Sequence, residues 1–518
     1  MGGFVGGLWN SFFSSWGVLG FRFLAIIVNT LTFIVSYKIL KNYLSQTFLL
    51  ISLSMILFIN DFGFLTFYHN QLTALLVVTA VYFLHKGLIE NKLIYYLISG
   101  CILAINVFAR IPNITLFILV AVIPYKYYLE QQKLIKSFKP ILFFSIGIIS
   151  GFILIVLLLW KNDHLSIMID SLLSLVSVGI EKDSSHNAGR LVRVFKINQN
   201  QIISITARLA CFLIFCFLFR KRFYNLKPIV KKILWVFPFL FLSLIFVSKN
   251  LLILYGLSYL ATLSILFTKN LKAALKLITF AALLVLFILP LGSAGGVNNS
   301  GYISIWLAFP FFFEFIFIYK PRITNYISIA TLKNWLLLFI CSYFMVRMYK
   351  LSKEAYFDEG NRLHKTYVIN SKFTKGIYTT KKRAKIINDI VAETKKYTKP
   401  NDHLLIFDNF AMLHYLTETK PYVYNPWVQI YDGYTFTQKL NQASKEIEKL
   451  PIIVQQKFDA TFRFGTPDPD FLKESHNKEK VNKYYNLQRT KAFNQFIKKN
   501  EYKIVWYNDY FNIYKSLK

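Results

Sequence analysis

The sequence is poor in cysteine and in acidic residues. Its four cysteines (Cys101, Cys211, Cys216 and Cys341) all fall inside apolar runs, and neither CxxC pairs nor Cys/His clusters occur. The sequence therefore indicates neither a disulfide nor a zinc site. The start of the chain lacks the basic n-region of a cleavable signal peptide, so we expect none.

Apolar residues are abundant. The 518 residues are 55% hydrophobic and 18% aromatic, and the mean hydropathy is +0.43. A water-soluble protein of this size needs a more polar surface, so the composition predicts a membrane protein.

The 60 Lys and Arg against 26 Asp and Glu give a formal net charge of +34. Basic patches can bind nucleic acid, but much of this charge lies in short loops between apolar runs, such as Arg220 to Arg222 and Lys269 to Lys276. The positive-inside rule explains such loops, and we expect no nucleic-acid partner.

Apolar runs of membrane length predict a polytopic α-helical membrane protein with about twelve transmembrane helices over residues 1–348. Two of the runs, Ile233 to Val247 and Leu251 to Phe267, are separated only by a turn at Ser248 to Asn250. Cationic loops alternate with loops that carry little positive charge, so we place the former in the cytoplasm and the latter outside. The segment Met1 to Gly17 is apolar and rich in Gly, and we expect an interfacial helix on the outer face.

The chain changes character near residue 349. Residues 349–518 contain no apolar run of membrane length and predict a soluble, extracytoplasmic α/β domain. We expect a helix at Lys381 to Tyr397, a strand at His403 to Phe407, a short helix at Ala411 to Leu416 and a strand-turn-strand at Tyr502 to Tyr514.

Ionisable residues cluster at the outward ends of the predicted spans. Asp61 precedes His69 by about two helical turns, and an acid and a His in one cavity could act as base and orienting group. Arg110 ends an apolar run just before Pro112 and suits a phosphate, because guanidinium binds phosphoryl oxygens bidentately. The alternatives are interfacial anchoring for Asp61 and His69 and snorkelling for Arg110.

Two outward loops are further candidate regions. The loop Lys161 to Gln201 mixes acids, histidines and arginines that suit a phosphate or metal site, or it is a solvated connector. The Gly-rich loop Gly292 to Gly301 could converge amides on an anion or simply be flexible. We take Arg190 and Arg193 as further candidates for phosphate binding, and the candidates for substrate binding are Asn70, Asn113, Asp163, His164, His186, Asp408 and Trp427.

Asp408 follows the strand at His403 to Phe407, where α/β domains place ligand-facing groups, but an Asp there also caps helices. Trp427 adds an aromatic surface that suits stacking on a sugar or resting at a membrane interface.

Together, the segment through Leu19-Gly20-Phe21-Arg22, the outward polar loops and the outward C-terminal domain resemble the GT-C superfamily of membrane glycosyltransferases, in the protein mannosyltransferase-like and aminoarabinose transferase-like branch. The resemblance implies sugar transfer from a polyprenyl-phosphate donor, with an acidic residue in the first outward loop. That residue has no counterpart before Met1. Either the short, uncharged segment Met1 to Gly17 crosses the membrane unaided, or an upstream transmembrane helix and its following loop are missing.

The resemblance predicts a glycosyltransferase of the bacterial inner membrane that acts on an envelope glycan, lipid or protein acceptor. It implies catalytic roles for Asp61 and His69 and donor-phosphate binding by Arg110, and it leaves a divalent metal open. The alternative is a non-catalytic transport, flippase-like or polysaccharide polymerase-like protein, whose polar groups would line a path across the membrane.

Overall fold

Among the residues that the structure describes, long apolar helices come first along the chain, and a small sheet with its helices follows. The structure is a computed structural model. It describes residues 2–59, 66–170, 227–293, 295–324, 328–355, 358–407, 409–431, 433–458, 466–467 and 487–518, with scattered residues between 172 and 214.

The chain divides into two compact units. The first comprises residues 1–11, 21–170 and 188–351, and the second comprises residues 12–20, 171–187 and 352–518.

The helices of the N-terminal part are α1 (Gly2–Phe13), α2 (Gly17–Leu40), α3 (Gln46–Leu57), α4 (His69–Glu90), α5 (Leu93–Ala109), α6 (Val122–Leu129), α7 (Phe138–Lys161), α8 (Pro228–Phe267), α9 (Ala273–Ile288), α10 (Val297–Ser304), α11 (Phe311–Thr324) and α12 (Ile329–Lys353). A 3₁₀ helix, Ile111–Ala121, leads into α6.

Within the described ranges, seven helical stretches are long and apolar enough to cross a membrane: Gly2–Leu40, His69–Glu90, Ile111–Leu129, Leu134–Lys161, Leu240–Phe267, Ala273–Gly292 and Ile329–Lys353. Two shorter apolar helices, α3 and α5, lie among them. Side chains such as Ile149, Leu154 and Leu157 of α7 are exposed and apolar, which fits contact with lipid rather than water. The chain is thus a multi-pass membrane protein.

The predicted turn at Ser248 to Asn250 coincides with a break. Residue Lys249 has non-helical dihedral angles (φ −143°, ψ 32°) inside α8. An unbroken helix of 40 residues would be about 60 Å long, twice the hydrocarbon thickness of a bilayer. The break divides α8 into two pieces of about membrane length or less.

Glycines permit a close contact between α5 and α7 in the first unit. A Cβ atom at Gly147 of α7 would lie 2.0 Å from the carbonyl oxygen of Leu97, and one at Gly100 of α5 would lie 2.1 Å from that of Phe144. Gly151 meets Cys101 in the same way, one turn further along both helices. From the pair Gly147 and Leu97 to the pair Gly151 and Cys101, the residue numbers rise in both helices, so α5 and α7 run parallel. Their backbones lie closer than larger side chains would allow.

The second unit contains a five-stranded sheet in the order β4-β3-β5-β7-β6. Its strands are β3 (His403–Phe407), β4 (Lys420–Pro421), β5 (Ile452–Gln456), β6 (Tyr502–Tyr507) and β7 (Phe511–Ser516). Strands β3, β4 and β5 are parallel, and β7 pairs antiparallel with both β5 and β6. A separate two-stranded sheet pairs β1 (Tyr367–Val368) with β2 (Tyr378–Thr379).

Helices cover both faces of the larger sheet. The helices are α13 (Lys381–Tyr397), α14 (Met412–Thr417), α15 (Gly433–Glu446) and α16 (Leu487–Lys499). One apolar core joins α13 and α14 to Leu404 and Val454 of the sheet. The other joins α15 and α16 to Leu405 and Ile453, which point to the opposite face because side chains alternate along a strand.

An ion cluster lies at the edge of this unit. The Asp358 carboxylate contacts Lys365 Nζ at 2.7 Å and Arg383 Nη1 at 2.9 Å, and Thr379 Oγ1 donates to it at 2.8 Å. Since these charged side chains are largely buried, the cluster fixes the segment that follows α12 to β2 and α13.

Candidate functional site

The candidate site is built where α4 begins and α5 ends. The α4–α5 pair is antiparallel: Gly87 of α4 faces the Tyr96 ring of α5, whereas the earlier Ala80 carbonyl of α4 accepts from Ser99 Oγ, further along α5, at 2.9 Å. The first residue of α4, His69, therefore lies at the same end of the helices as Arg110, which follows α5. We use the name 69–113 cluster for the polar residues at this end of the two helices: His69, Asn70, Thr73, Asn106, Arg110 and Asn113.

Arg110 terminates α5 with an extended backbone (φ −159°, ψ 113°), because Pro112 follows and disfavours continuation of the helix. Its N–H donates to the Asn106 carbonyl at 3.2 Å. The guanidinium lies near enough to Tyr68, His69 and Tyr302 for its charge to act on all three. Within the described part of the chain, no carboxylate pairs with Arg110, and its buried Nη1 has no hydrogen-bond partner.

Asn113 ties the two helices together. Its Nδ2 donates to Thr73 Oγ1 at 3.0 Å and to the Asn106 side-chain and main-chain oxygens at 3.1 Å. Its Oδ1, like that of the neighbouring buried Asn70, is buried and has no partner among the residues that the structure describes. A buried acceptor without a donor costs free energy, and functional sites are one place where this is tolerated.

The start of α4 is held by Gln71. Its Oε1 accepts from the Tyr68 N–H at 2.8 Å, and its Nε2 donates to the Thr66 carbonyl at 2.9 Å. This residue thus acts as an N3 residue reaching back to the helix start. The Tyr68 and His69 rings lie with their centroids 3.8 Å apart. These contacts fix the position of His69 at the start of α4.

Two further segments approach the cluster. A Cβ atom at Gly292 would lie 2.4 Å from Pro112 Cβ, so only glycine permits this approach of the 289–292 turn. The Gly-rich segment is not wholly a loop, because residues 297–304 form the buried helix α10, which carries Tyr302. On the other side, Gly2 of α1 faces His69, with 3.3 Å from an added Cβ to His69 Cβ.

The structure brings together four of the residues singled out from the sequence: His69, Asn70, Arg110 and Asn113. Asp163 and His164 are exposed beyond the end of α7, and Arg193 is exposed too. Trp427 lies in the second unit, on its surface. The remaining candidates, Asp61, His186, Arg190 and Asp408, lie outside the described residues.

Three residues of this region were not predicted from the sequence: Thr73, Asn106 and Tyr302. A signal was present for the first two, since each is a polar residue one helical turn from a candidate, inside an otherwise apolar run. Tyr302 is 192 residues from Arg110 in sequence, and no local pattern connects the two.

A metal site finds no support in this part of the chain. The described residues contain no group of three or more His, Cys, Asp or Glu that could hold an ion. Most of the loop Lys161 to Gln201 lies outside them, so the phosphate or metal site in that loop stays a hypothesis beside the solvated connector.

Family models, curated proteins and solved structures were compared with the chain, and none matches it.

Proposed function

We propose that the protein is a membrane glycosyltransferase of the GT-C type that transfers a sugar from a polyprenyl-phosphate donor to an envelope glycan, lipid or protein acceptor. One observation carries the proposal: the Arg110 guanidinium is surrounded by neutral polar groups and has no carboxylate partner among the described residues. A cation held in this way is available for an anion, and its planar fork matches the oxygens of a phosphate.

The position of the cluster favours transfer over transport. Its polar side chains lie together at one end of α4 and α5, and Asn113 connects both helices at that end. A transport path would instead need polar groups distributed across the whole membrane depth. A one-ended cluster suits a reaction between a lipid-anchored donor and an acceptor that approaches from the adjoining aqueous side.

In such a transfer, the acceptor hydroxyl forms a bond to the anomeric carbon while the bond from that carbon to the phosphate oxygen breaks. A base removes the hydroxyl proton, and a cation stabilises the departing phosphate. We assign the second role to Arg110. His69 is the candidate for the first role, with Asp61 as its partner, and Asn70 and Asn113 are candidates for holding sugar hydroxyls.

The proposal includes a finer topology. It takes the chain to cross the bacterial inner membrane about twelve times, with the 69–113 cluster and a soluble domain of residues 349–518 outside the cytoplasm. The seven membrane-length helices and the break at Lys249 support this arrangement.

The test is donor binding by Arg110 variants. Purified protein in nanodiscs is titrated with undecaprenyl phosphate and with labelled polyprenyl-phosphate sugars. Arg110→Lys keeps the charge but loses the bidentate fork, so we expect the dissociation constant to rise about tenfold, and more in Arg110→Ala, from charged hydrogen bonds worth roughly 1.5–3 kcal/mol each.

Arg208→Lys serves as the control, since Arg208 is an exposed helical arginine outside the cluster. It should bind the donor like the wild type. Unchanged donor affinity in both Arg110 variants would mean that Arg110 only anchors the helix end, and the proposed role would be wrong.

A further inference from the structure

Half-exposed aromatic side chains follow β4 in the second unit. Tyr424 and Trp427 are 45% and 47% exposed, and Tyr434, at the start of α15, is 63% exposed. We call these three residues the aromatic platform. Their neighbours Val423 and Val428 are buried, so the segment has one side in the core and one side facing out.

The platform is elongated. The Tyr424 hydroxyl donates to the carboxylate of Glu446 at the last residue of α15, whereas Gly433 begins that helix against Gln488 of α16. The segment from Tyr424 to Tyr431 therefore runs beside α15 from its end to its beginning. At 1.5 Å per residue, positions 434 and 446 lie about 18 Å apart along the helix axis.

The segment is held rigidly from below. Arg489 of α16 is almost fully buried, and its Nη1 donates to the carbonyl oxygens of Gln429 at 3.1 Å and Tyr431 at 2.7 Å. The Tyr431 hydroxyl donates to the Val423 carbonyl at 3.1 Å. Trp427 begins a 3₁₀ turn, and its N–H donates to Asn425 Oδ1 at 2.9 Å.

Tyr424 has a left-handed backbone, with φ of 63°. A bulky residue rarely adopts this conformation, and it persists only where the surroundings impose it. Here the hydrogen bond to Glu446 and the Lys439 ammonium, 5.6 Å from the ring centroid, hold the side chain. The ring is thereby fixed before any ligand arrives, which lowers the entropic cost of binding.

Polar groups with fixed positions flank this ring. Lys439 Nζ donates to Gln442 Oε1 at 3.0 Å, and Gln442 Nε2 donates to Glu446 Oε1 at 2.8 Å. The hydrogen bond from Tyr424 lowers the pKa of the Glu446 carboxyl below its ordinary value. A charged carboxylate and an amide would have to lose their water to enter a bilayer, which is costly.

From this geometry we infer that the aromatic platform binds an extended carbohydrate chain, with sugar C–H faces packed on the rings of Tyr424 and Trp427 and sugar hydroxyls bonded to Glu446 and Gln442. Aromatic faces supply apolar contact, and the carboxylate and amide supply hydrogen-bonding partners. The inference rests on the proposed function only in taking this chain to be the acceptor glycan.

The binding test needs no donor. Full-length protein in phosphatidylcholine nanodiscs is examined by saturation-transfer difference NMR with maltohexaose, cellohexaose, chitohexaose and a galacturonate hexamer as probes. We expect at least one hexasaccharide to bind, and Tyr424→Ala and Trp427→Ala each to weaken that binding about tenfold, as the loss of one stacking contact implies. Trp427→Phe should retain most of the affinity.

Tyr367→Ala is the matched control, because Tyr367 lies on β1 of the same unit and is 45% exposed. It should leave binding unchanged. Near-ultraviolet circular dichroism checks that each variant is folded, and Glu446→Gln, which preserves shape but removes the charge, provides a second variant that should also weaken binding.

Two outcomes would overturn the inference. One is that no hexasaccharide binds the folded wild-type protein. The other is that brominated phosphatidylcholine quenches the fluorescence of Trp427, measured as the difference in emission between the wild type and Trp427→Phe. Such quenching would place the platform in the bilayer. Neither outcome depends on the donor titration of the Arg110 variants. The carbohydrate-binding inference and the proposed transferase function can therefore fail independently, and the two experiments distinguish these failures.

Discussion

His414 in the second unit is buried as a neutral imidazole. It is 7% exposed, and its Nδ1 lies 3.2 Å from Thr419 Oγ1. Burial lowers its pKa to about 4, whereas an unfolded histidine titrates near 6.5. The unfolded state therefore binds the proton more readily than the folded state. The free energy of unfolding is unaffected by His414 above about pH 6.5, and it falls by roughly 3 kcal/mol at most as the pH drops from about 6.5 to about 4.

We expect the unfolding midpoint of this unit, followed by intrinsic fluorescence in the full-length protein, to drop between pH 7 and pH 4. His414→Gln should flatten that dependence, because the substituted side chain takes up no proton. His364→Gln is the control, since His364 is exposed in a 3₁₀ helix, and it should keep the wild-type slope. An unchanged slope in His414→Gln would show that other groups are responsible.

The contact between helices α5 and α7 depends on individual glycine residues, which lie against the backbone of the partner helix. A side chain at Gly147 would collide with the Leu97 backbone, which cannot give way as a flexible side chain can. We expect Gly147→Val to force the two helices apart and to lower the detergent-solubilised melting temperature by several degrees, since overpacking costs about 1–3 kcal/mol.

Gly7→Val is the control for this substitution, because Gly7 of α1 has open space around its Cβ position. Equal melting temperatures for Gly147→Val and the wild type would mean that α5 and α7 do not approach as closely as described.

The elements of the second unit show what a local pattern can predict. The helix at Lys381 to Tyr397 and the strand at His403 to Phe407 were predicted with the bounds that the structure has. The short helix at Ala411 to Leu416 is shifted by one residue. Strand β4 was missed because it has only two residues and depends on its pairing with β3.

Individual residues of the candidate site were predictable from the sequence, but their arrangement in space was not. Arg110, His69 and Asn113 stand out because charged or amide side chains interrupt apolar runs. The pairing of Asn113 with Thr73, however, joins residues 40 positions apart and follows from the packing of α4 against the segment after α5. Such contacts depend on the tertiary fold, and hydrophobic periodicity alone does not contain them.

For the whole molecule, helix directions give an independent argument about sidedness. The α4–α5 pair is antiparallel and the α5–α7 pair is parallel, so His69, Arg110 and Asp163 all lie at one end of these helices. The other end carries the cationic loops, and there Lys126 Nζ donates to the Leu88 carbonyl at 2.6 Å. The positive-inside rule predicts that this cationic end faces the cytoplasm and that the 69–113 cluster lies outside.

The same rule predicts that residues after Met348 lie outside the cytoplasm, because cationic loops at Lys269 to Lys276 and at Lys320 fix the later crossings. Alkaline phosphatase fused after Tyr378 should therefore be active in a bacterial host, since it folds only after export. A fusion after Lys133, in the cationic loop before α7, should be silent, while a cytoplasmic fluorescent reporter at that site should be bright. If the phosphatase fused after Tyr378 is silent and the cytoplasmic reporter is bright there, the second unit faces the cytoplasm. The proposed extracytoplasmic location of residues 349–518 would then be wrong.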